Sequence, residues 1–140
     1  MMKDEPMLII ALYVTGTKLD PDRITEILGI EPNRKRSCGE KRISSSGHEI
    51  TAKCGLWGLV IESDSPLLEV QLAQLVEKVR PSQTFPTVAG VEEAYVDVFI
   101  ALGSDSDGNA NCDLSLSADL LTQVARLGLP LKITVSVGRD

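Results

Sequence analysis

The sequence predicts an α+β fold, namely a two-layer sandwich with a mainly antiparallel sheet and helices on one face. Two observations support this prediction. Apolar strand-like runs are separated by amphipathic helical stretches along the chain. The run at 131–137 alternates between apolar and polar residues, and the run at 95–102 alternates aliphatic residues with a mixed set that could be partly wet, namely Tyr95, Asp97, Phe99 and Ala101. Within this class, a ferredoxin-like arrangement with an approximate duplication of a βα unit is the expected topology.

The βα unit occurs at residues 19–30 and again at 116–129, and each copy follows an apolar run that stops at a glycine. Each copy has a residue that can cap a helix and a later glycine that can close it; these are Asp20 and Gly29 in the first copy, and Ser117 and Gly128 in the second. Pro21 also suits a first helical position. The similarity has two open explanations, a duplication or the shared physics of short capped helices.

The other elements follow from hydrophobic periodicity. Residues 8–14 are apolar without alternation, which predicts a strand inside a sheet. Residues 56–61 predict another strand, and an apolar stripe at helical spacing from Ser65 predicts a helix that ends before Pro81. In the last strand the apolar residues are predicted to be buried while their neighbours face water; the buried set is Leu131, Ile133, Val135 and Val137.

Length and composition indicate a single domain over residues 1–140, with 43% hydrophobic and 24% charged residues. Residues 1–6 carry acids and a proline where a signal peptide needs basic and then apolar residues, so they do not resemble a signal peptide. We expect these six residues to form a flexible N-terminus. The apolar runs are shorter than a membrane span, and the three cysteines form no C-x-x-C pair. We therefore expect a cytoplasmic protein with reduced thiols and no membrane contact.

The charge is unevenly distributed. The formal net charge is −6, which argues against nucleic-acid binding because a phosphate backbone would be repelled. Residues 33–42, however, hold five basic residues and one acid, a local charge of +4, so the rest of the chain carries −10. This contrast predicts a binding surface of split charge.

Three landmarks occur in a fixed order. The first is the run 19–30 followed by Pro32-Asn33 and Gly39-Glu40, the second is Gly55-Leu56-Trp57-Gly58-Leu59, and the third is the run 116–129. Together they resemble a bacterial family known as domain-of-unknown-function family 4279, although Asn33 stands where the family more often has threonine. The resemblance covers roughly residues 8–137 and implies one module. It implies no activity.

The basic segment, residues 33–47, is interpreted as a basic and serine-rich loop or an edge segment. Its five cations could bind a phosphate, a carboxylate ligand or an acidic protein surface; they are Arg34, Lys35, Arg36, Lys41 and Arg42. The alternative is a solvated loop whose charges pair with the acidic domain. If the segment is extended, Arg34 and Arg36 share one side and Lys35 faces the other.

Three further features have simple structural explanations. Trp57 could be an aromatic platform beside the basic segment, but a core ring joining a strand to a helix is favoured. His48, between two cysteines, does not fit the ligand spacing of a zinc site and is expected to be exposed. The Asp105-x-Asp107-x-Asn109 sequence lacks the glycine and the final acid of a calcium loop, so we interpret it as a connecting loop.

The sequence therefore has no catalytic, metal or cofactor signature, and none of these is predicted. The leading hypothesis is a non-catalytic binding module with a protein partner, either immunity-type or regulatory, or one that self-associates. The alternative is a small anionic-ligand-binding or enzymatic domain in which Arg34, Arg36 and Trp57 line one pocket. RNA binding would need exposed aromatic rings, and 4% aromatic content supplies few.

Overall fold

The structure is a computed structural model that describes residues 7–79 and 88–138, so the expected flexible N-terminus lies outside the described residues. In chain order the elements are β1 (Met7–Gly16), α1 (Pro21–Leu28), β2 (Arg34–Arg36), β3 (Lys41–Ile43), β4 (Glu49–Thr51), β5 (Gly55–Val60), α2 (Leu68–Lys78), β6 (Glu93–Gly103), α3 (Ala118–Ala125) and β7 (Leu131–Gly138).

One five-stranded sheet organises the molecule, in the spatial order β2-β5-β1-β6-β7. β1 lies between β5 and β6 and is antiparallel to both, and β2 is antiparallel to β5. β7 is parallel to β6, which requires the crossover that α3 provides. β3 and β4 form a separate two-stranded hairpin. The mixed fold with a mostly antiparallel sheet is thus confirmed.

The hydrophobic core lies on one face of the sheet, between the strands and the helices α1, α2 and α3. Val14 on β1 stands beside Trp57 on β5, and residues at every second position of β1, β5 and β6 share this face. The largest fully buried side chains come from both layers; they are Ile10, Leu12, Val14, Ile24, Leu28, Trp57, Leu72, Leu75, Val96 and Val98. We call the opposite side, on which this core does not extend, the open face.

Both short helices begin, and α1 ends, for the expected local reasons, whereas α3 ends at Ala125 with Arg126 as its C-cap, two residues before Gly128. The Asp20 carboxylate accepts a hydrogen bond from the Asp22 N–H, and Gly29 closes α1 in the left-handed conformation with φ 73°. Ser117 accepts from the Leu120 N–H at the start of α3. The longer helix, α2, begins at Leu68 rather than Ser65, because the Ser65 hydroxyl accepts from the Leu67 N–H in a turn before the helix.

The basic segment forms an edge strand and half of a hairpin. β2 pairs with β5 at the end of the sheet, and the chain then turns into β3, which the sequence did not predict. All three residues of β3 are exposed, so this strand has no buried face that could produce alternation. The serine-rich end of the segment, residues 44–47, forms the turn of the hairpin, and Gly47 there has φ 85°.

The prediction that the apolar side chains of β7 are buried is wrong. They are 37% to 58% exposed, and the set is Leu131, Ile133, Val135 and Val137. The reason is the reach of the helical layer: α1 packs on β5, α2 packs on β1, and α3 packs against α2. β7 is the end strand, beyond this layer. Alternation identifies the apolar side of a strand, but it does not specify whether another layer covers that side.

Candidate functional site on the open face

The open face carries a mixture of aromatic, small and charged side chains. Its residues are Ile9, Ala11, Tyr13 and Thr15 on β1, Leu56, Gly58 and Val60 on β5, and Tyr95, Asp97, Phe99 and Ala101 on β6. The three aromatic side chains, of Tyr13, Tyr95 and Phe99, are largely covered by their neighbours and partly exposed to solvent. No helix packs on this side in the described part of the chain.

A row of residues crosses this face at right angles to the strands. Arg34, Gly58, Tyr13 and Tyr95 are successive partners in the register of β2, β5, β1 and β6. The two tyrosine rings lie 5.9 Å apart between centroids and are tilted by 54°. At the far end the Lys132 ammonium lies 4.0 Å from the centroid of the Tyr95 ring. We call these five residues the tyrosine row.

Gly58 lets the row form. A β-carbon at position 58 would lie 3.0 Å from two carbons of the Tyr13 ring and 3.1 Å from the Arg34 β-carbon. The missing side chain therefore leaves the space into which the Tyr13 ring leans, between its own strand and β2. In the sequence this glycine stood out only as part of a family landmark, although Tyr13 and Arg34 pack directly over it.

The surroundings of the row raise the pKa of Tyr95. Burial is the largest cause, and it acts against the nearby Lys132 ammonium. Burial likewise raises the pKa of Asp97, again against the effect of Lys132. Lys132 donates a hydrogen bond to Glu93, which raises the pKa of the lysine and ties its side chain down. The lysine end of the row is thus partly neutralised, whereas at the other end the Arg34 guanidinium donates to the Asn33 carbonyl and forms no ion pair within residues 7–79 and 88–138.

The six sequence-predicted site residues do not converge. Arg34 and Arg36 lie on the open face, because they stand beside Gly58 and Leu56. Lys35 lies on the other side, with its ammonium 3.3 Å from the Asp22 carboxylate. This alternation is the one expected for an extended segment.

Trp57 does not take part in a surface pocket. Its side chain is 0% exposed, and its indole N–H donates to the Thr25 hydroxyl over 3.0 Å, so the ring joins β5 to α1 within the core. The hypothesis that Trp57 holds an anion together with Arg34 and Arg36 is therefore corrected: the indole and the two guanidinium groups lie on opposite faces of the sheet.

A groove between the hairpin and β2 brings two of the predicted cations together. Arg36, Arg42 and Lys53 line a cavity of about 290 Å³ together with Glu40 and residues 50–52. The Arg36 Nε also donates to the Cys54 carbonyl at 3.4 Å. Lys41 instead pairs with Glu49 on the neighbouring strand, at 3.4 Å. We call this cavity the hairpin groove.

The remaining candidates match their simple structural explanations. His48 is exposed, and Asp105 accepts hydrogen bonds from the N–H groups of Asp107 and Asn109, which closes a connecting loop. Residues 7–79 and 88–138 contain no group of three or more side chains placed to hold a metal ion. An apolar cavity of about 460 Å³ lies apart from the predicted site residues, between the start of α2 and residues 112–115.

Several residues of the tyrosine row and the hairpin groove were not predicted as site residues from the sequence. Alternation along β6 placed Tyr95 and Phe99 on the wetter side of the sheet, which was a usable signal. Tyr13 carried no such signal, because it sits in a run that is apolar at almost every position. Lys53 lies six residues beyond the basic segment, and the hairpin turns the chain so that it lines the hairpin groove. Lys132 is remote in sequence, and only the folded chain brings it to the tyrosine row.

The comparisons with known proteins agree with the landmarks of the sequence. The model of the family described as Domain of unknown function (DUF4279) matches residues 7–138, nearly the whole chain. The chain belongs to this family. No curated protein and no solved structure gives a significant match to it. Within the described ranges, none of the helices has the length and apolar character that crossing a membrane requires.

Proposed function

We propose that this chain is a non-catalytic protein-binding module that engages its partner through the open face. The tyrosine row is the observation that carries this proposal. Tyrosine and arginine are enriched at the centres of protein interfaces, because they bring large contact area and hydrogen-bonding groups together. Here Tyr13 and Tyr95 lie side by side and partly exposed, and Arg34 stands at the margin. Phe99 lies on the same face, four residues further along β6.

A protein suits this face better than a nucleic acid does. Stacking of bases needs ring faces that are free, but Lys132 covers the Tyr95 ring and the Tyr13 ring is tilted by 54° against it. Glu93 and Asp97 add negative charge to the same face, and the whole chain carries −6. A phosphate backbone would meet this charge unfavourably.

The charge distribution indicates the partner's chemistry. Arg34 and Arg36 flank the aromatic centre on the β2 side, so a fitting partner has an apolar or aromatic centre with carboxylates at that margin. An immunity-type or a regulatory protein are both concrete forms of such a module. The odd number of cysteines supports a cytoplasmic location, and the family resemblance supports a bacterial source.

A ferredoxin-like arrangement is part of the proposal. It is supported by the order β2-β5-β1-β6 with α1 and α2 on one face, to which α3 and β7 are added at the edge. An approximate duplication is supported by the two βα units, since α1 and α3 each return the chain to a strand parallel to the one before it.

The first test places a photo-crosslinking amino acid at Tyr13 or Tyr95 in cells, with Arg23 on α1 as the control position. Arg23 is exposed on the opposite layer of the molecule. We expect one protein to crosslink from the two open-face positions and not from the control. Crosslinks to RNA, or equal crosslinking from all three positions, would contradict the proposal.

The second test measures affinity for the crosslinked protein by titration calorimetry. We expect Arg34→Ser/Arg36→Ser to weaken binding by about tenfold or more, since two charge-assisted contacts are removed. Lys35→Ser is the matched control, because it removes a cation from the same strand on the other face. An equal loss with Lys35→Ser would place the partner elsewhere.

The hairpin groove favours a second function, the binding of a small anion. Three basic residues and one acidic residue line a cavity of about 290 Å³, which is large enough for a phosphate or carboxylate ligand. We expect inorganic phosphate or citrate to raise the melting temperature of the protein. Arg42→Ser should abolish the rise, and Lys41→Ser should preserve it because Lys41 pairs with Glu49. Equal shifts in both variants would exclude the groove as the site.

A further inference from the structure

We propose that two copies of this chain form a symmetric dimer in which their β7 strands pair antiparallel. The first observation is the apolar side of β7, where Leu131, Ile133, Val135 and Val137 are 37%, 58%, 53% and 56% exposed. Four such side chains in a line present a contiguous apolar area on the order of a few hundred Å², a size that marks interaction sites on soluble proteins.

The second observation is the direction of the β7 backbone groups. The Val96 N–H donates to the Pro130 carbonyl, and the Ser104 N–H donates to the Gly138 carbonyl. The peptide groups of even-numbered residues along this strand therefore face β6, and those of odd-numbered residues face the outer edge. The odd-numbered residues 131–137 are also the ones that carry the apolar side chains. The edge thus offers a row of donors and acceptors in register with an apolar stripe.

The strand is complementary to itself. With a two-fold axis at Thr134, Leu131 of one copy faces Val137 of the other, and Ile133 faces Val135, both as hydrogen-bonded pairs. Thr134 faces its own counterpart in a close non-hydrogen-bonded pair, an arrangement in which threonines stabilise a sheet. Lys132 then stands opposite Ser136, so like charges do not meet between residues 131 and 137.

A second copy also explains why this edge can stay apolar. Sheets commonly protect an end strand with charge, proline or short length, because a long apolar edge recruits other strands. β7 has eight residues and one charge, Lys132, which is already held by Glu93 and Tyr95. A symmetric pair covers the β7 edge of both copies at once, so assembly stops at the dimer. The interface is at the small end of the range for specific contacts, so we expect a dissociation constant in the micromolar range.

Sedimentation over a range of protein concentrations tests the dimer with paired variants. Ile133→Lys/Val135→Lys sets like charges opposite each other across the axis, and we expect a monomer. Ile133→Lys/Val135→Glu sets opposite charges there, and we expect its dimer to be at least about tenfold tighter than that of the two-lysine variant. Both positions are half-exposed, so circular dichroism should show the wild-type fold.

Cysteine crosslinking tests the register without changing the apolar stripe. Residues in a non-hydrogen-bonded antiparallel pair have α-carbons about 4.5 Å apart, within the reach of a disulfide. Thr134→Cys should therefore give a 134–134 crosslink on mild oxidation, identified by peptide mapping so that the natural cysteines do not interfere. Ser136→Cys should give no crosslink to itself, because each copy's residue 136 faces Lys132.

Three results would overturn the dimer or its register. A wild-type chain that remains monomeric at about 1 mM would exclude the dimer. Equal association of wild type and the two-lysine variant would exclude β7 as its interface. A 136–136 crosslink as strong as 134–134 would exclude the register. The inference is independent of the proposed partner on the open face, because the tyrosine row is not altered by any of these variants.

Discussion

The two edges of the sheet are built in opposite ways. β2 is three residues long, consists of Arg34, Lys35 and Arg36, and follows Pro32, which cannot donate a hydrogen bond. β7 is eight residues long and exposes four aliphatic side chains along one side. The strand beside β2 is fixed to the helical layer by Trp57, whereas the helical layer stops before β7.

The difference shows which edge is meant to stay free. Short length and positive charge are devices by which sheets prevent unwanted strand pairing, and β2 has both. β7 also follows a proline, Pro130, but it is eight residues long and its one cation is already held by Glu93. We infer that β2 ends the sheet in solvent while β7 is completed by association. The following predictions test the two sides separately.

The largest difference in stability is expected between a substitution at Trp57, which fixes the β2 side to the helices, and one at Ile133 on β7. Trp57→Ala should lower the free energy of unfolding by about 3–5 kcal/mol, because a fully buried ring and its bond to Thr25 are lost. Ile133→Ala should lower it by less than about 1 kcal/mol, because the side chain is already 58% exposed. Denaturant unfolding followed by circular dichroism, in dilute protein, measures both. Equal losses would mean that the β7 side is covered within one chain.

The next effect is the loss of stability when Gly58, under the tyrosine row, is replaced. Gly58→Val should destabilise the protein by about 1–3 kcal/mol, because the new side chain overlaps the Tyr13 ring and the Arg34 stem and pushes β2 away. Gly103→Val is the control: it lies at the end of β6, and a β-carbon there meets nothing within 4 Å. Thermal unfolding compares the two variants. If Gly103→Val destabilised the protein equally, the cause would be the loss of a strand glycine in general and not the overlap with Tyr13 and Arg34.

The local structure could be read from the sequence, but the extent of each layer could not. Asp20, Gly29 and Ser117 specify helix ends through their own backbone and side-chain chemistry, so α1 and α3 begin where predicted. The burial of Trp57 followed from its place in an apolar strand next to a helix. The exposure of Val135 depends on how far α3 extends across the sheet, which is a property of packing between distant segments.

The candidate site follows the same rule. Local alternation placed Arg34 and Arg36 on one side and Lys35 on the other, as the structure has them. The tyrosine row needs the register of several strands, with Tyr13 and Lys132 more than a hundred residues apart, and no local pattern contains that information.

Two valine-to-threonine substitutions compare the stability of a strand that the helices cover, β6, with that of its neighbour beyond the helices, β7. Val98→Thr on β6 should lower the free energy of unfolding by about 1–3 kcal/mol, because its hydroxyl enters a core position that is 1% exposed. Val135→Thr on β7 should change it by no more than about 0.5 kcal/mol, since the position is 53% exposed. Both are measured by denaturant unfolding at a concentration where the chain is monomeric. At high concentration only Val135→Thr should also weaken the dimer.

The smallest expected effect is a pH dependence on the β7 side, at Asp97 beside Lys132. Burial raises the pKa of Asp97 above its ordinary value of 3.8, so the folded state binds this proton more tightly than the unfolded state does. The ionised carboxylate therefore destabilises the fold, and stability is lost as the pH rises through the raised pKa. Asp97→Asn should raise the melting temperature at pH 7 by on the order of 1–3 °C. The gain should shrink as the pH falls towards 3, where the wild-type carboxyl is protonated as well. Melting curves of both proteins between pH 3 and pH 8 measure this difference. A variant less stable than wild type at pH 7 would mean that the attraction between Asp97 and Lys132 outweighs burial, and that this side of the sheet is held by charge.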